Sequence, residues 1–185
     1  MKLRYLLGIT LAVGLCGGCS SDYMNFKGGN FVQFSSSLDE VYTFAYFSSD
    51  KEIDTLNIGI MSVGEVVDYP RTIRFEQVTK EWEYTYDTED PSKVVDSVYV
   101  DMKYPAKEGV HFEAFGGENH ELVLPANQNG VTVKIVVKRE DESLQENARK
   151  LELRLLPSDD FETGVPKYVV KKITISDKLE RPTVW

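Results

Sequence analysis

The chain has 185 residues, with 30 acidic side chains against 21 basic ones and a formal net charge of −9. That balance excludes a phosphate-backbone binder, which needs a clustered basic face, so no nucleic acid is expected as partner. The two cysteines, Cys16 and Cys19, both stand near the start, which leaves the rest of the chain with neither a disulfide framework nor a thiolate metal site.

The first element is a leader. Lys2 and Arg4 make a positive head, and an apolar run from Tyr5 to Leu15 follows, interrupted only by Gly8, Thr10 and Gly14. A bilayer-crossing helix needs about 20 apolar residues, and this run is about half that, the length of a secretory signal's core. Gly17 and Gly18 fit the narrow cleft of a signal peptidase. The stretch LCGGCSSD then resembles the lipobox of bacterial lipoproteins, although Cys16 stands where leucine is usual and Leu15 is displaced by one. The resemblance implies that Cys19 carries diacylglycerol and becomes the mature N-terminus; an ordinary secretory signal cleaved nearby is the alternative. Each buried methylene contributes about 0.8 kcal/mol, so two or more acyl chains give stable attachment. The expected division is a signal peptide over 1–18, a tether over 19–29 and one folded domain over 30–185. A tether of about ten residues reaches ~35 Å at most, so the domain is expected close to its membrane. Without Lys2 and Arg4, 19 basic residues face 30 acidic ones, a net charge of −11.

From Asn30 onward the dominant pattern is the two-residue alternation of half-buried strands. VYTFAYF sets Tyr42, Phe44 and Tyr46 on one side, and TLNIGI groups Leu56, Ile58 and Ile60. RTIRFE sets Ile73 and Phe75 against Thr72, Arg74 and Glu76. VYVDM falls within the hairpin described below, and ELVLP follows it. GVTVKIVVKR then places Val131, Val133, Ile135 and Val137 on one face, and KLELRLLP aligns Leu151, Leu153 and Leu155. YVVKKITISD closes the series, with Lys171 breaking its alternation. Turn-rich stretches such as FGGEN, PANQNG and PSDD separate the runs. No helical period extends beyond two turns. The expected fold is all-β: a single antiparallel β-sandwich.

Residues 78–104 read as a long hairpin whose acidic turn surrounds Pro91. Trp82, Tyr84 and Tyr86 share one face of its first strand, and Tyr99 lies near them across the pair. Exposed, these rings would make a stacking platform for sugars or a contact for a partner; the alternative is that they pack on the core. In the first case Glu81 and Glu83 would orient the sugar by hydrogen bonds.

In the second half, YPAKEGVHFEAF, ELVLPANQNGVTVKIVVKRED, RKLELRLLPSDDFETG and ISDKLERPTVW follow one another. Together they resemble an uncharacterised lipoprotein family of Bacteroides-type Gram-negative bacteria, domain of unknown function 4843. Its marks here are Ala106, Gly109, His111, Phe112, Arg139, Asp160, Phe161, Gly164, Pro182 and Trp185. The resemblance implies an immunoglobulin-like module similar to Calx-β. It also implies lipid anchoring in an outer membrane, facing the surface or the periplasm, beside a TonB-dependent transporter and its partner lipoprotein. It carries no catalytic residues. Residue chemistry gives these marks structural roles: turns needing positive φ at Gly109 and Gly164, core anchors at Phe112 and Phe161, and a cover for one end at Trp185.

Other chemistry is thin. His111 and His120 flank a turn that could bring them together, but two histidines without cysteines fall short of a transition-metal site. No two acids are marked as a catalytic pair, and the chain has no G-x-S-x-G, H-E-x-x-H or P-loop motif, so no enzyme is expected. Calcium is the better metal candidate, through Asp141, Glu142 and Glu146, in a turn broadly similar to the one Calx-β modules use; Arg139 beside them argues against it. The expected function is therefore a non-enzymatic binding or accessory module of a nutrient-uptake system, with a glycan or a transporter as partner. The alternative is a purely structural protein–protein or adhesion module.

Overall fold

The computed structural model describes residues 29–117, 119–140 and 143–179. Cys19, Asp141, Glu142, Pro182 and Trp185 lie outside the described residues. In chain order the strands are β1 (Phe31–Phe34), β2 (Glu40–Thr43), β3 (Ile53–Val63), β4 (Arg71–Val78), β5 (Lys80–Tyr86) and β6 (Val94–Asp101). They continue with β7 (Glu121–Leu124), β8 (Gly130–Lys138), β9 (Arg149–Leu156), β10 (Glu162–Thr163) and β11 (Val170–Ser176). One helical turn, α1 (Ser143–Glu146), precedes β9.

Two sheets pack face to face, with strand orders β10-β1-β3-β8 and β2-β11-β9-β4-β7, and β5-β6 forms a separate ribbon. This is an immunoglobulin-like β-sandwich with a long hairpin inserted between β4 and β7. The ladders of its body are antiparallel, and two short flanking pairs, β1 with β10 and β2 with β11, are parallel. Parallel pairing arises there because the first extended segment changes sheets, β1 lying in one and β2 in the other.

The alternation read from the sequence sets the core. Ile58 and Ile60, Ile73 and Phe75, Val133, Ile135 and Val137, and Leu151, Leu153 and Leu155 all turn inward and are buried. Each buried aliphatic or aromatic side chain contributes about 1.5–3 kcal/mol, which makes this core the main source of stability. Phe112 and Phe161 are buried among them.

Three details depart from the sequence reading. Tyr42, Phe44 and Tyr46 do not form one strand face: β2 ends at Thr43, and Phe44–Tyr46 is a 3-10 turn, leaving Phe44 buried and Tyr46 exposed. Thr43 caps that turn, its hydroxyl accepting from the Ala45 N–H at 3.2 Å. Lys171 does not break the alternation of β11. It keeps the inward phase of Ile173 and Ile175, is 3% exposed, and its ammonium donates to the Leu38 carbonyl and to Glu40 Oε1 at 2.9 Å. Gly164 does not have a positive φ. A Cβ there would stand 3.3 Å from the Val32 carbonyl and 2.8 Å from Gln33 Oε1, so close approach of β1 selects the glycine. Gly109 does adopt a positive φ, of 79°, in the turn before His111.

The sandwich has two distinct ends. The chain enters at Phe31, which pairs with Val63, and Arg71 at the start of β4 reaches Ser62 beside it. β4 then runs the length of its sheet, from Arg74 opposite Leu156 to Val78 opposite Glu152. The hairpin therefore departs from the end opposite to chain entry.

Candidate ligand-binding hairpin

The hairpin begins where β4 leaves its sheet. The Thr79 carbonyl accepts from the Met102 N–H at 2.8 Å, closing a neck, and the Met102 side chain is buried beneath it. The returning chain takes the place β4 vacated: Pro105 bridges Lys150, and the Ala106 N–H donates to the Lys150 carbonyl at 2.8 Å. Gln77 donates to the Ala106 carbonyl at 2.7 Å. Ala106, a family mark, is thus a joint between hairpin and sheet.

The tip is held by its own polar groups. Asp87 Oδ1 accepts from the Glu89 N–H at 2.8 Å, and Asp90 accepts from the Ser92 hydroxyl at 2.6 Å. Those Ser92 bonds hold the Asp90 carboxyl below its usual range. A bulge between Thr85 and Tyr86 shifts the register near the tip.

Register decides what each face carries. Trp82 stands opposite Tyr99, Tyr84 opposite Ser97, and Lys80 opposite Asp101. Trp82, Tyr84, Tyr86 and Tyr99 therefore share a face, as the sequence spacing requires. They do not pack on the core: they are 55%, 49%, 51% and 45% exposed. The Trp82 and Tyr99 rings lie 5.1 Å apart, tilted by 43°.

Glu81 and Glu83 stand opposite Val100 and Val98, on the other face of the ribbon. Strand alternation turns them away from the rings, so they cannot orient a ligand stacked there. Glu81 instead binds Lys150 Nζ at 3.0 Å, and this hydrogen bond holds its carboxyl below the ordinary range. The contact ties the ribbon to the outer surface of β9. A cleft of about 190 Å³ lies beneath it, lined in part by Asp39, Glu152, Lys172 and Thr174.

The remaining candidates take separate partners. His111 is buried; its Nδ1 accepts from the Lys107 N–H at 2.9 Å and its Nε2 lies 2.9 Å from Glu140. His120 stacks on Phe75 and lies 3.9 Å from Glu108. Arg139 forms a two-pronged pair with Asp177 at 2.8 and 3.0 Å and donates to the Ser48 carbonyl at 2.8 Å. Of the calcium candidates, only Glu146 is described; it is exposed, and its carbonyl accepts from Lys178. Among the described residues, no group of three or more His, Cys, Asp or Glu converges as a metal site. None of their helices is long and apolar enough to cross a membrane.

Sequence reasoning missed Arg71. It shares the inward phase of Ile73 and Phe75 and is buried, donating to the Gln128 carbonyl at 3.0 Å and the Glu65 carbonyl at 3.3 Å. Its guanidinium lies 4.8 Å from the Phe161 ring centroid. The spacing in RTIRFE carried the signal, because Arg71 is two residues before Ile73.

Fold and site together define a β-sandwich domain with four exposed aromatic rings on one face of an inserted hairpin. The chain belongs to the family described as "Domain of unknown function (DUF4843)", which matches residues 90–185. No curated protein matches it. Among solved structures it is similar to the apo form of the Calx CBD1 domain, at 15% identity and a TM-score of 0.47, covering 82% of this chain and 99% of that one. It is also similar to the CBD12 portion of CALX1.2, at 13% identity and a TM-score of 0.44, covering 80% of this chain and 44% of that one. A third similar structure is a candidate carbohydrate-binding protein from Bacteroides ovatus, at 13% identity and a TM-score of 0.42, covering 80% of this chain and 37% of that one.

Proposed function

We propose that this is a non-enzymatic binding module, anchored by lipid on Cys19 to the outer membrane of a Gram-negative bacterium, that recognises a glycan on its hairpin. The observation that carries the reading is the row of four half-exposed rings, Trp82, Tyr84, Tyr86 and Tyr99, on one face of the ribbon. Apolar ring faces left in water gain free energy when sugar C–H faces cover them. The start of β1 and the hairpin stand at opposite ends of the sandwich, so a domain anchored through the segment before β1 would hold the rings away from its membrane. A role beside a TonB-dependent transporter fits that arrangement, with the module passing substrate toward uptake.

The test is a glycan array followed by affinity electrophoresis. Covering Trp82 is worth about 1.5–3 kcal/mol, so Trp82→Ala is expected to weaken binding roughly tenfold to a hundredfold. Wild-type binding that Trp82→Ala leaves unchanged would remove the hairpin from the site.

A second reading has its own support. Each hairpin strand has a single ladder partner, so both outer backbone edges are free, and Val98 on the opposite face is exposed. Free edges are templates for strand addition by a protein. A protein partner such as the transporter should bury over about 1,000 Å². Co-purification with a transporter, without binding to any glycan, would favour this structural role.

A further inference from the structure

Resting on the reading of the hairpin as a sugar platform, we infer that its ligand is an uncharged glycan held lengthwise along the chain interior, and that acidic polysaccharides are rejected. Charge gives the first argument. Residues 80–103 carry seven acidic side chains against three lysines. Each lysine stands beside a group of its own: Lys80 lies 3.8 Å from Asp101, Lys93 lies 3.7 Å from Asp87, and Lys103 sits over the Tyr104 ring. Glu83 and Asp96 are exposed on the face behind the rings and Glu89 is exposed at the tip, so the thin ribbon surrounds its platform with net negative charge from behind and from its end. A polyuronate would bring its own carboxylates within a Debye length, about 8 Å at physiological ionic strength, of these groups. Like charges at that distance oppose docking.

Geometry gives the second argument. Trp82, Tyr84 and Tyr86 occupy alternate positions of one strand, so the row advances about 14 Å from first ring to last at ~3.4 Å per residue. A row that long fits several consecutive sugar rings and not a single chain end. Alongside Tyr84 and beyond it that face offers neutral hydrogen-bonding groups, the tyrosine hydroxyls and Ser97, with the charged pair Lys80 and Asp101 at its base. The neutral groups match sugar hydroxyls and offer a carboxylate or sulfate no cation.

The experiment is affinity electrophoresis of the full-length protein in neutral detergent, at low and high salt. Gels contain neutral glucans, mannans, xylans or galactans, or else polygalacturonate or alginate. At least one neutral polymer should retard the wild type equally at both salt concentrations, with retardation at least tenfold weaker for Trp82→Ala, and neither polyuronate should do so. The triple variant Glu83→Gln, Glu89→Gln, Asp96→Asn should gain several-fold affinity for polyuronate at low salt. Polyuronate binding by the wild type that depends on Trp82, or a triple variant with no gain, overturns the charge selection and leaves the platform standing. If no polymer retards the wild type, the platform reading falls, and this inference falls with it.

Discussion

Replacing residues 80–101 by Asn-Gly should remove the proposed binding surface and leave the sandwich folded. The Thr79 carbonyl and the Met102 N–H already meet at 2.8 Å, the spacing a two-residue turn closes without moving either strand. Against the body, the excised ribbon loses chiefly the Glu81–Lys150 pair, whose side chains are about half exposed. A pair of that kind contributes about 0–1 kcal/mol. Shortening the connection from 22 residues to 2 recovers at most about 2 kcal/mol of closure entropy, less because the ribbon is itself ordered. The net change is within about 2 kcal/mol, or a Tm shift of no more than about 8 °C for a domain of this size. Thermal unfolding followed by circular dichroism reads this directly, alongside a binding assay that should fall to background. Loss of the cooperative transition would refute the reasoning, because it would make the ribbon part of the core.

Further tests address the body. Lys171→Ala leaves the Leu38 carbonyl without its donor and opens a gap, at about 2–4 kcal/mol. Lys171→Met keeps the stem and removes the charge, so urea unfolding should show a smaller loss than for Ala; equal losses would show that the ammonium's bonds, and not the packing of the stem, set the cost. Arg139→Ala strips the partner from Asp177, whose side chain is 4% exposed, and should cost about 3–5 kcal/mol by the same measurement, where a loss under about 1 kcal/mol would show the pair to be incidental. Asp54 accepts from Lys51 at 2.7 Å and from Tyr42 at 2.6 Å; these bonds, with a further one from the Thr55 N–H, lower its carboxyl to about 2. A depressed folded pKa gives stability that is present above about pH 4 and lost as pH falls through about 2. Allowing for solvent screening, about 1–2 kcal/mol should disappear across that window and be absent from Asp54→Asn. A wild type and variant with the same acid profile would sink that assignment.

The sandwich was legible because its strands alternate. In β8 and β9 every second residue from Val131 to Val137 and from Leu151 to Leu155 is aliphatic, and a pleated strand has no other way to bury them. The errors came from residues whose type misstates their position. Lys171 and Arg71 occupy inward phases, and only their hydrogen-bond partners, Glu40 and the Leu38 carbonyl for one and the Gln128 and Glu65 carbonyls for the other, make that tolerable. Such partners are 131 residues away for Lys171 and Glu40 and leave no local trace. The hairpin itself and its ring face followed from spacing, but the exposure of the rings did not, because the same alternation serves a buried face. Glu81 was misplaced for a simpler reason: sequence neighbours in a strand lie on opposite faces. The family marks Ala106, His111 and Asp160 form joints, with Asp160 accepting from the Thr72 N–H at 2.6 Å, and so speak to folding and not to a ligand.

Hydroxyl-radical footprinting of the full-length protein, with and without a saturating retarding polymer, tests the central claim most directly. The account predicts that oxidation of Trp82, Tyr84, Tyr86 and Tyr99 drops several-fold on binding, with Tyr46 and Tyr69 at other surfaces unchanged. Unaltered oxidation of the four hairpin rings, with protection appearing elsewhere on the sandwich, would contradict it.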